Sequence, residues 1–304
     1  MFGQAAIFVL LFVNVVVDGF LQELENCSLL DLTHPFNDQT IEWPIPGQSS
    51  FRLEEVYKGE TKHGVYISTF KYSGPEHAGT HWDAPSHFAQ HGLMPEKVEL
   101  STLIGEACVV NVEGKVASNP NYQLSVNDLS EWETANGQLD NRCVLLVATG
   151  WDERYAEKSR YLGIESRSFH FPGIHPDTAQ WLIDNRPVRA IGIDSMSVDY
   201  GMTPVGRFQA HQILAGANMP ILESLRLLTR LPPRGATVVA LPMKIEGGSG
   251  GPVRVVAFGW TGDQDPCRRD IPIVTATAAS HCRISAKLLL SLFGIYYFCH
   301  SQRQ

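Results

Sequence analysis

Short apolar runs bounded by turn residues recur along the chain, and they predict buried strands. These runs cover residues 29–36, 108–112, 144–148, 190–193, 237–241 and 253–258. Residues 66–72 instead alternate between apolar and polar side chains. This period of two predicts another strand, which leads directly into a cluster of histidines.

Two other segments have the pattern of helices. Ser125 is a typical N-cap for a helix that continues to residue 134. Residues 176–185 form an amphipathic pattern in which Ala179, Leu182 and Ile183 face inward. Strands that alternate with helices indicate an α/β domain. Because several strands also follow one another without a helix, we expect a mixed sheet with flanking helices.

An apolar run near the N-terminus has the character of a signal peptide. Residues 5–17 are apolar except Asn14. Such a run is too short for a comfortable membrane span and suits the apolar region of a signal peptide. Cleavage after Gly19 would remove residues 1–19 and leave a domain of residues 20–262 in a secreted, extracellular protein. A buried N-terminal strand is the alternative, since no positive side chain precedes the run.

Composition limits the partners of the chain. Of its 304 residues, 44% are hydrophobic and 18% are charged, which is ordinary for a globular protein with a real core. The net charge is −8 and no basic stripe is visible, so a nucleic acid is not expected as a partner. We expect no stable membrane span in the core domain.

The last segment, residues 263–304, departs from the pattern of the domain. Residues 275–280 are small and residues 288–299 are apolar, which resembles a GPI-anchor signal in part. The polar terminus after residue 299 disfavours membrane anchoring, and a disordered extension accounts for this tail equally well.

The cysteines are scattered and none lies in a CxxC pair, which argues against a cysteine zinc site. Cys108 and Cys143 lie in apolar strand-like runs, where they are most simply buried small hydrophobic residues. Cys27 and Cys267 flank the domain and could pair in a secreted chain, although a sequence does not determine connectivity.

Residues 77–87, HAGTHWDAPSH, carry the strongest chemical signal. His77, His81 and Asp83 are ligand types for a divalent ion, and His81 and Asp83 would point the same way on a strand. Two imidazoles and one carboxylate leave an open position on a tetrahedral ion, and Asp83 could also bridge two ions. His87 remains as a candidate proton carrier. The alternative is a surface loop that happens to be rich in histidine.

A second group of candidates follows more than a hundred residues later. His211 lies in a helix-like stretch, and Glu223 lies among Ile221, Leu222 and Leu225. A buried, unpaired carboxylate is costly, and a metal partner would remove that cost. The alternative for each residue is an ordinary solvated helix face.

Three further features have two interpretations each. His34 precedes Pro35 and is better explained as a turn residue than as part of a site. Trp43 lies in a stiff loop that could form one wall of a pocket or simply pack over the core. The glycine run at residues 246–251 lacks the Lys-Ser/Thr of a phosphate-binding loop. We interpret it as a tight connection or as backbone that lets a ligand come close.

The segment 77–87 resembles the H-x-G-T-H-x-D-x-P-x-H signature of the cyclase family, whose best-known members are the bacterial-type kynurenine formamidases. Isatin hydrolases are relatives. Residues 31–35, the loop at Trp43, residues 192–199 and the His211–Glu223 pair also resemble the family in order and spacing. The likeness extends from about residue 29 to residue 258, and together with the leader it suggests a secreted, animal-type member.

This resemblance implies a swivelling β/β/α domain that forms a homodimer or homotetramer. It implies one or two divalent ions, with zinc expected and manganese as the alternative. The implied metal ligands are His77, His81, Asp83, His211 and Glu223, with Asp83 as the bridging carboxylate. His87 would be the proton donor and acceptor, and Trp43 would lie against the substrate.

The implied activity is an arylformamidase reaction of tryptophan catabolism, in which a metal-activated water hydrolyses N-formyl-L-kynurenine to L-kynurenine and formate. A cytosolic enzyme of that pathway would not need a leader, so a secreted hydrolase of another small amide, lactam or ester is the main alternative. A non-catalytic metal-binding protein on the same scaffold is a further one. The non-catalytic alternative is disfavoured because every position that matches a metal ligand of the family still carries a residue able to bind a metal.

Overall fold

The computed structural model describes residues 29–260, with the exception of residues 46, 48, 167 and 205. The predictions for the leader, for Cys27 and Cys267 and for the tail therefore lie outside the described residues. Strands β1 to β12, in chain order, are Leu30–Asp31, Arg52–Glu60, Tyr66–Ser73, His81–Asp83, Ile104–Asn111, Gln123–Leu124, Cys143–Ala148, Gly173–Ile174, Ala190–Ile193, Ile221–Glu223, Ala236–Pro242 and Gly250–Phe258.

The helices are short. Helices α1 to α5, in chain order, are Glu113–Ser118, Val126–Asn136, Lys158–Tyr161, Pro176–Asn185 and Gln209–Gly216. Ser125 caps α2 as predicted, because its hydroxyl accepts from the backbone N–H of Asp128 while the Asp128 carboxylate accepts from the backbone N–H of Ser125. Among the described residues, no helix combines the length and the apolar character that a membrane crossing requires.

Seven strands close into a barrel at the centre of the fold. Their order is β12-β11-β5-β7-β9-β10-β4, and β4 pairs back with β12. Strands β5, β7, β9 and β10 run parallel to one another, whereas the other pairings are antiparallel. The predicted mixed sheet is confirmed. Its closure was not predicted, because a three-residue strand such as β4 has no periodicity that shows it pairing on both edges.

Two apolar cores lie on the two faces of this sheet. Strand β7 contributes to both, with Leu145 and Val147 packed on the helix side and Val144 and Leu146 packed inside the barrel. Burial on both faces explains why the sequence of this strand is a continuous apolar run and does not alternate. The barrel interior is therefore a packed core, and the chemistry has to lie at its rim.

Strands β2 and β3 form a separate hairpin that pairs only with itself. The prediction of a strand at residues 66–72 is confirmed by β3. None of the residues of β2 or β3 is buried. The alternation of apolar and polar side chains along β3 therefore does not separate a buried face from a solvent-exposed face, because both faces are exposed.

The interpretation of Cys108 and Cys143 as separate small hydrophobic residues is wrong in one respect. Both are fully buried, as expected, but they form a disulfide. Cys108 lies on β5 and Cys143 on the neighbouring parallel strand β7, and their Cα atoms are 5.5 Å apart. Because the two cysteines are 35 residues apart in the chain, the sequence alone did not predict this contact. It arises because β5 and β7 are neighbours in the barrel.

Candidate metal centre

Two adjacent strands at the seam of the barrel place three of the predicted residues together. Glu223 of β10 lies opposite His81 of β4 in the antiparallel register, and Ile221 lies opposite Asp83. Side chains alternate along a strand, so His81 and Asp83 share one face while Trp82 enters the barrel core. The prediction that His81 and Asp83 point the same way is confirmed.

His81 offers one free ring nitrogen to this group. Its Nδ1 lies 3.0 Å from the carbonyl oxygen of Gly79, which can only accept a hydrogen bond. The proton of the neutral ring therefore lies on Nδ1. Nε2 is 3.4 Å from Asp83 Oδ1 and 3.4 Å from Glu223 Oε2. The lone pair on Nε2 thus faces the two carboxylates.

His211 reaches the same point from helix α5. Its Nδ1 lies 2.7 Å from Asp199 Oδ2, and its Nε2 lies 3.0 Å from Glu223 Oε1 and 3.3 Å from Asp83 Oδ2. The carboxylate of Asp199 also accepts from the backbone N–H groups of Ala210 and His211 at the start of the helix. Asp199 therefore fixes both the helix end and the orientation of the ring.

Charge at this point is concentrated and almost completely buried. Burial alone would lower the pKa of His81, but the hydrogen bonds and charges of Asp83 and Glu223 raise it to about 10. The pKa of His211 is likewise raised well above its ordinary value. Burial opposes ionisation of Asp83, yet its three imidazole neighbours hold its pKa well below the usual range. The two carboxylates therefore require positive charge beside them.

These residues fit a divalent metal ion. Imidazole nitrogens and carboxylate oxygens are its usual ligands, and each ligating imidazole normally donates its other N–H to a carbonyl or a carboxylate. Gly79 and Asp199 accept from His81 and His211 in this way. Ligand atoms of His81, Asp83 and Glu223 lie within 4.8 Å of one another, as do those of His77, Asp83 and His87. Asp83 belongs to both groups, which suits a bridging carboxylate.

His77 and His87 form the outer part of the site. His77 Nδ1 lies 2.7 Å from Asp83 Oδ1, and its Nε2 lies 2.8 Å from Ser249 Oγ. The ring of His87 stacks on that of His77 with 3.7 Å between centroids. Burial lowers the pKa of His87 to about 4. This imidazole is therefore neutral near pH 7 and is able to accept a proton.

The glycine run brings backbone against His77. Gly250 pairs with Asp83 of β4, and a Cβ at Gly250 would lie 2.7 Å from Cε1 of His77. Ser249, just before it, bonds both His77 and Glu76. The backbone of the glycine run therefore does come close to another group, as one of its two interpretations predicted. That group is a histidine of the site and not a ligand molecule.

A cavity of about 410 Å³ opens above these residues. Its floor is formed by the histidines and carboxylates described above, and its walls are apolar. The wall residues are Trp43, Ile45, Pro75, Phe88, Met196 and Phe208. The ring centroid of Trp43 is 5.7 Å from that of Phe208. Trp43 also packs against Phe169 and Phe171, so both interpretations of this residue hold.

His34 lies outside the cavity. Its ring stacks on Tyr155 at a centroid distance of 3.6 Å, and its backbone N–H donates to Thr80 Oγ1. Burial and the charge of Arg226 lower the pKa of His34 to about 3, so the ring is neutral. The structure thus favours packing over a role in the site for this residue.

Sequence reasoning missed several residues of the site. Asp199 was noted only as part of a family-like segment, and Ser249 and Glu76 gave no signal. Phe88 and Phe208 gave no signal either, because an apolar wall residue has the same pattern as a core residue. The adjacency of Phe88 to His87 and of Phe208 to the His211 segment was the only available clue.

Known proteins of one family resemble this chain in sequence. The family model described as "Putative cyclase" matches residues 30–200. An isatin hydrolase of Roseibium aggregatum is 31% identical over 191 residues, which cover 60% of this chain and 72% of that protein. A kynurenine formamidase of Erythrobacter litoralis is 31% identical over 211 residues, which cover 69% of this chain and 85% of that protein.

The fold has the same relatives. The structure of isatin hydrolase A from Ralstonia solanacearum superposes with a TM-score of 0.73 at 28% identity. The match covers 82% of this chain and 97% of that one. The likeness therefore includes both the barrel and the strands that carry the site.

Proposed function

Because the chain belongs to the cyclase family, we propose that it is a metal-dependent arylformamidase that converts N-formyl-L-kynurenine to L-kynurenine and formate. The enzyme is a hydrolase of carbon–nitrogen bonds other than peptide bonds. One observation supports the proposed chemistry above all others. Two imidazoles and two carboxylates converge at the floor of a cavity with aromatic walls.

His81, Asp83, Glu223 and His211 would hold the first ion, and His77 together with Asp83 would contribute to a second. Zinc suits this set of nitrogen and oxygen ligands, and manganese is the alternative. When bound, the metal supplies Lewis-acid activation of water near neutral pH. Asp199 and the carbonyl of Gly79 keep Nε2 of His211 and of His81 directed at the ion.

The cavity suits a flat substrate. Apolar walls with a few convergent polar groups are typical of small-molecule sites, and the volume of about 410 Å³ lies in the usual range. Trp43, Phe88 and Phe208 would pack against an aryl ring and thereby hold the amide carbonyl over the polar floor.

His87 would move the proton of the reaction. The neutral ring takes the proton released when water attacks the carbonyl carbon, and passes it to the departing amine nitrogen. His77 stacks on His87 and fixes its plane. General acid–base help of this kind contributes roughly 100-fold to 10000-fold in rate.

The test compares substrates on one metal-loaded preparation. We expect the kcat/KM for N-formyl-L-kynurenine to exceed that for isatin and for simple aryl formamides, and activity to disappear on exhaustive chelation and to return with zinc or manganese. A second candidate is a lactam hydrolase, which the likeness to isatin hydrolases favours. A higher kcat/KM for isatin would replace the first proposal by the second. Stoichiometric metal without turnover of any amide, lactam or ester would indicate a binding protein.

Several features of the whole protein are proposed from the sequence alone. We propose that residues 1–19 are a signal peptide and that the enzyme, residues 20–262, is secreted. From the family resemblance, we further propose that the fold is a swivelling β/β/α domain and that the protein forms a homodimer or a homotetramer. Mass spectrometry of protein secreted by cultured cells would show whether the mature chain begins at residue 20.

A further inference from the structure

Ser224, the residue directly after Glu223 of β10, has an unusual backbone conformation. Its φ is +52°, in the left-handed region that residues other than glycine rarely adopt. The residue is fully buried, with 0% of its surface exposed. Such a conformation costs free energy and persists only where the surroundings hold it, and it is found most often at functional sites. The contacts of Ser224 therefore show what holds the chain beside a proposed metal ligand.

Hydrogen bonds hold the backbone of Ser224 on both sides. Its N–H donates to the carbonyl oxygen of Ser195 at 3.0 Å. Its carbonyl oxygen accepts from Thr80 Oγ1 at 2.6 Å. Thr80 directly precedes His81 of β4, and His81 lies opposite Glu223 in the strand register. The backbone contacts of Ser224 thus link the two strands that carry proposed ligands.

The side chain of Ser224 bonds the hydroxyl of Tyr161, the last residue of α3. Tyr161 Oη lies 3.0 Å from Ser224 Oγ and 3.0 Å from the carbonyl oxygen of Asp194. The carbonyl oxygen can only accept, so the single phenol proton goes to Asp194, and the Ser224 hydroxyl donates to Tyr161. Asp194 directly follows β9. Tyr161 therefore joins Ser224 to the segment that follows β9.

The direction of the Glu223 carboxylate depends on the same two segments. Its Oε1 accepts from the backbone N–H of Val198 at 2.8 Å, four residues after Asp194. A rotation of the backbone at Ser224 would also turn the Glu223 side chain, because the peptide plane between the two residues is rigid. The Tyr161 hydroxyl bonds both segments, so it supports the carboxylate from two sides.

We propose that Tyr161 is a positioning residue for the metal centre. Its hydroxyl keeps Ser224 in the left-handed conformation, and this conformation directs the Glu223 carboxylate at the imidazoles of the site. Tyr161 is fully buried and lies outside the cavity, so it acts on the ion only through these neighbours. This role rests on the proposed metal-dependent function, because it requires Glu223 to be a metal ligand.

The test measures the affinity of the purified, metal-free protein for zinc, by competition with a chelating dye. Tyr161→Phe keeps the ring and removes the hydroxyl, and we expect it to raise the Kd for zinc about 10-fold. Tyr155→Phe is the matched control, because its hydroxyl accepts from the backbone N–H of Ile41 at 3.2 Å instead of bonding Ser224. Both variants should lose stability in urea, but the control should keep the wild-type Kd.

Two substitutions at Ser224 separate the backbone conformation from the hydrogen bond. Ser224→Ala removes the same bond from its other end and keeps a Cβ, so it should raise the Kd for zinc as Tyr161→Phe does. This variant also tests the role if Tyr161→Phe does not fold. Glycine adopts the left-handed conformation without support. Tyr161→Phe should therefore leave the Kd of a Ser224→Gly protein unchanged, a rescue that a loss of packing would not give.

The results that would overturn this role differ from those that would overturn the proposed function. Equal zinc affinity of the wild type, Tyr161→Phe and Ser224→Ala would remove the positioning role and leave the metal site intact. So would equal losses in Tyr161→Phe and Tyr155→Phe, or an undiminished effect of Tyr161→Phe in the Ser224→Gly protein. A wild type that binds neither zinc nor manganese would contradict the proposed function, and the role of Tyr161 with it.

Discussion

Asp199 Oδ2 lies 2.7 Å from His211 Nδ1, and this hydrogen bond directs the other ring nitrogen of His211 at Asp83 and Glu223. Asp199 itself does not touch the point where the ligand atoms converge. It acts by fixing the tautomer and the angle of a ring that does, as carboxylates beside metal-binding histidines generally do.

Asp199→Asn should weaken metal binding by about 10-fold to 100-fold, because the amide supplies a weaker acceptor for the His211 N–H. Titration against a chelating dye measures the affinity for zinc and manganese. Asp177→Asn is the control, since the Asp177 side chain is exposed and lies outside the site. Equal metal affinity in Asp199→Asn and wild type would remove the orienting role of Asp199.

His87→Gln should lower kcat by about 100-fold or more while the metal content stays unchanged, because His87 is proposed to carry a proton and all the proposed metal ligands remain. Elemental analysis and steady-state kinetics on the same preparation separate the two effects. If the metal content falls together with kcat, His87 is a ligand. That result would agree with its grouping with His77 and Asp83.

Trp43→Ala should raise the KM for an aryl formamide about 10-fold and change the KM for formamide itself much less, since only the aryl ring would contact the indole. Trp181→Ala, on helix α4, removes a tryptophan away from the cavity and should leave both values unchanged. A parallel loss on both substrates would show that Trp43 only supports the fold.

His34 should make folding sensitive to acid. Its pKa is about 3 in the folded chain and about 6.5 when unfolded, so the unfolded state binds more protons between these values. The contribution of His34 to the free energy of unfolding is fully present above about pH 6.5. It is lost as the pH falls, by roughly 3 kcal/mol at about pH 4.5.

His34→Phe keeps a flat ring against Tyr155 and removes the titrating group. Its free energy of unfolding should therefore fall less than that of the wild type between about pH 6.5 and about pH 4.5. Urea unfolding at each pH measures the difference. His63→Phe changes an exposed histidine and should follow the wild type. If the stability of His34→Phe falls with pH as steeply as that of the wild type, the acid sensitivity lies elsewhere.

The disulfide between Cys108 and Cys143 should stabilise the barrel by about 4 kcal/mol, because it closes a loop of 35 residues in the unfolded chain. A reductant should therefore lower the Tm of the wild type. It should leave a Cys108→Ala, Cys143→Ala double variant unchanged. Peptide mapping without reductant should recover the two cysteines in one linked fragment, and two free thiols would contradict the pairing.

The sequence by itself determined the local half of the site. His81 and Asp83 are two residues apart, and any extended strand directs such a pair to one face, so their shared direction needed no knowledge of the fold. The cost of burying an unpaired carboxylate among Ile221, Leu222 and Leu225 identified Glu223 in the same way. The apolar runs predicted β5, β7, β9, β11 and β12. In β7 and β9 every residue is buried, and burial on both faces leaves a continuous apolar pattern.

Only the tertiary structure decided which distant residues meet. Strand β4 lies between β10 and β12, and this pairing brings Glu223 to His81 and Ser249 to His77. The pairing of Cys108 with Cys143 and the isolation of the β2–β3 hairpin follow from the same barrel order. Side-chain direction along one strand is a local property of the backbone, whereas the choice of neighbouring strand depends on the packing of the whole core.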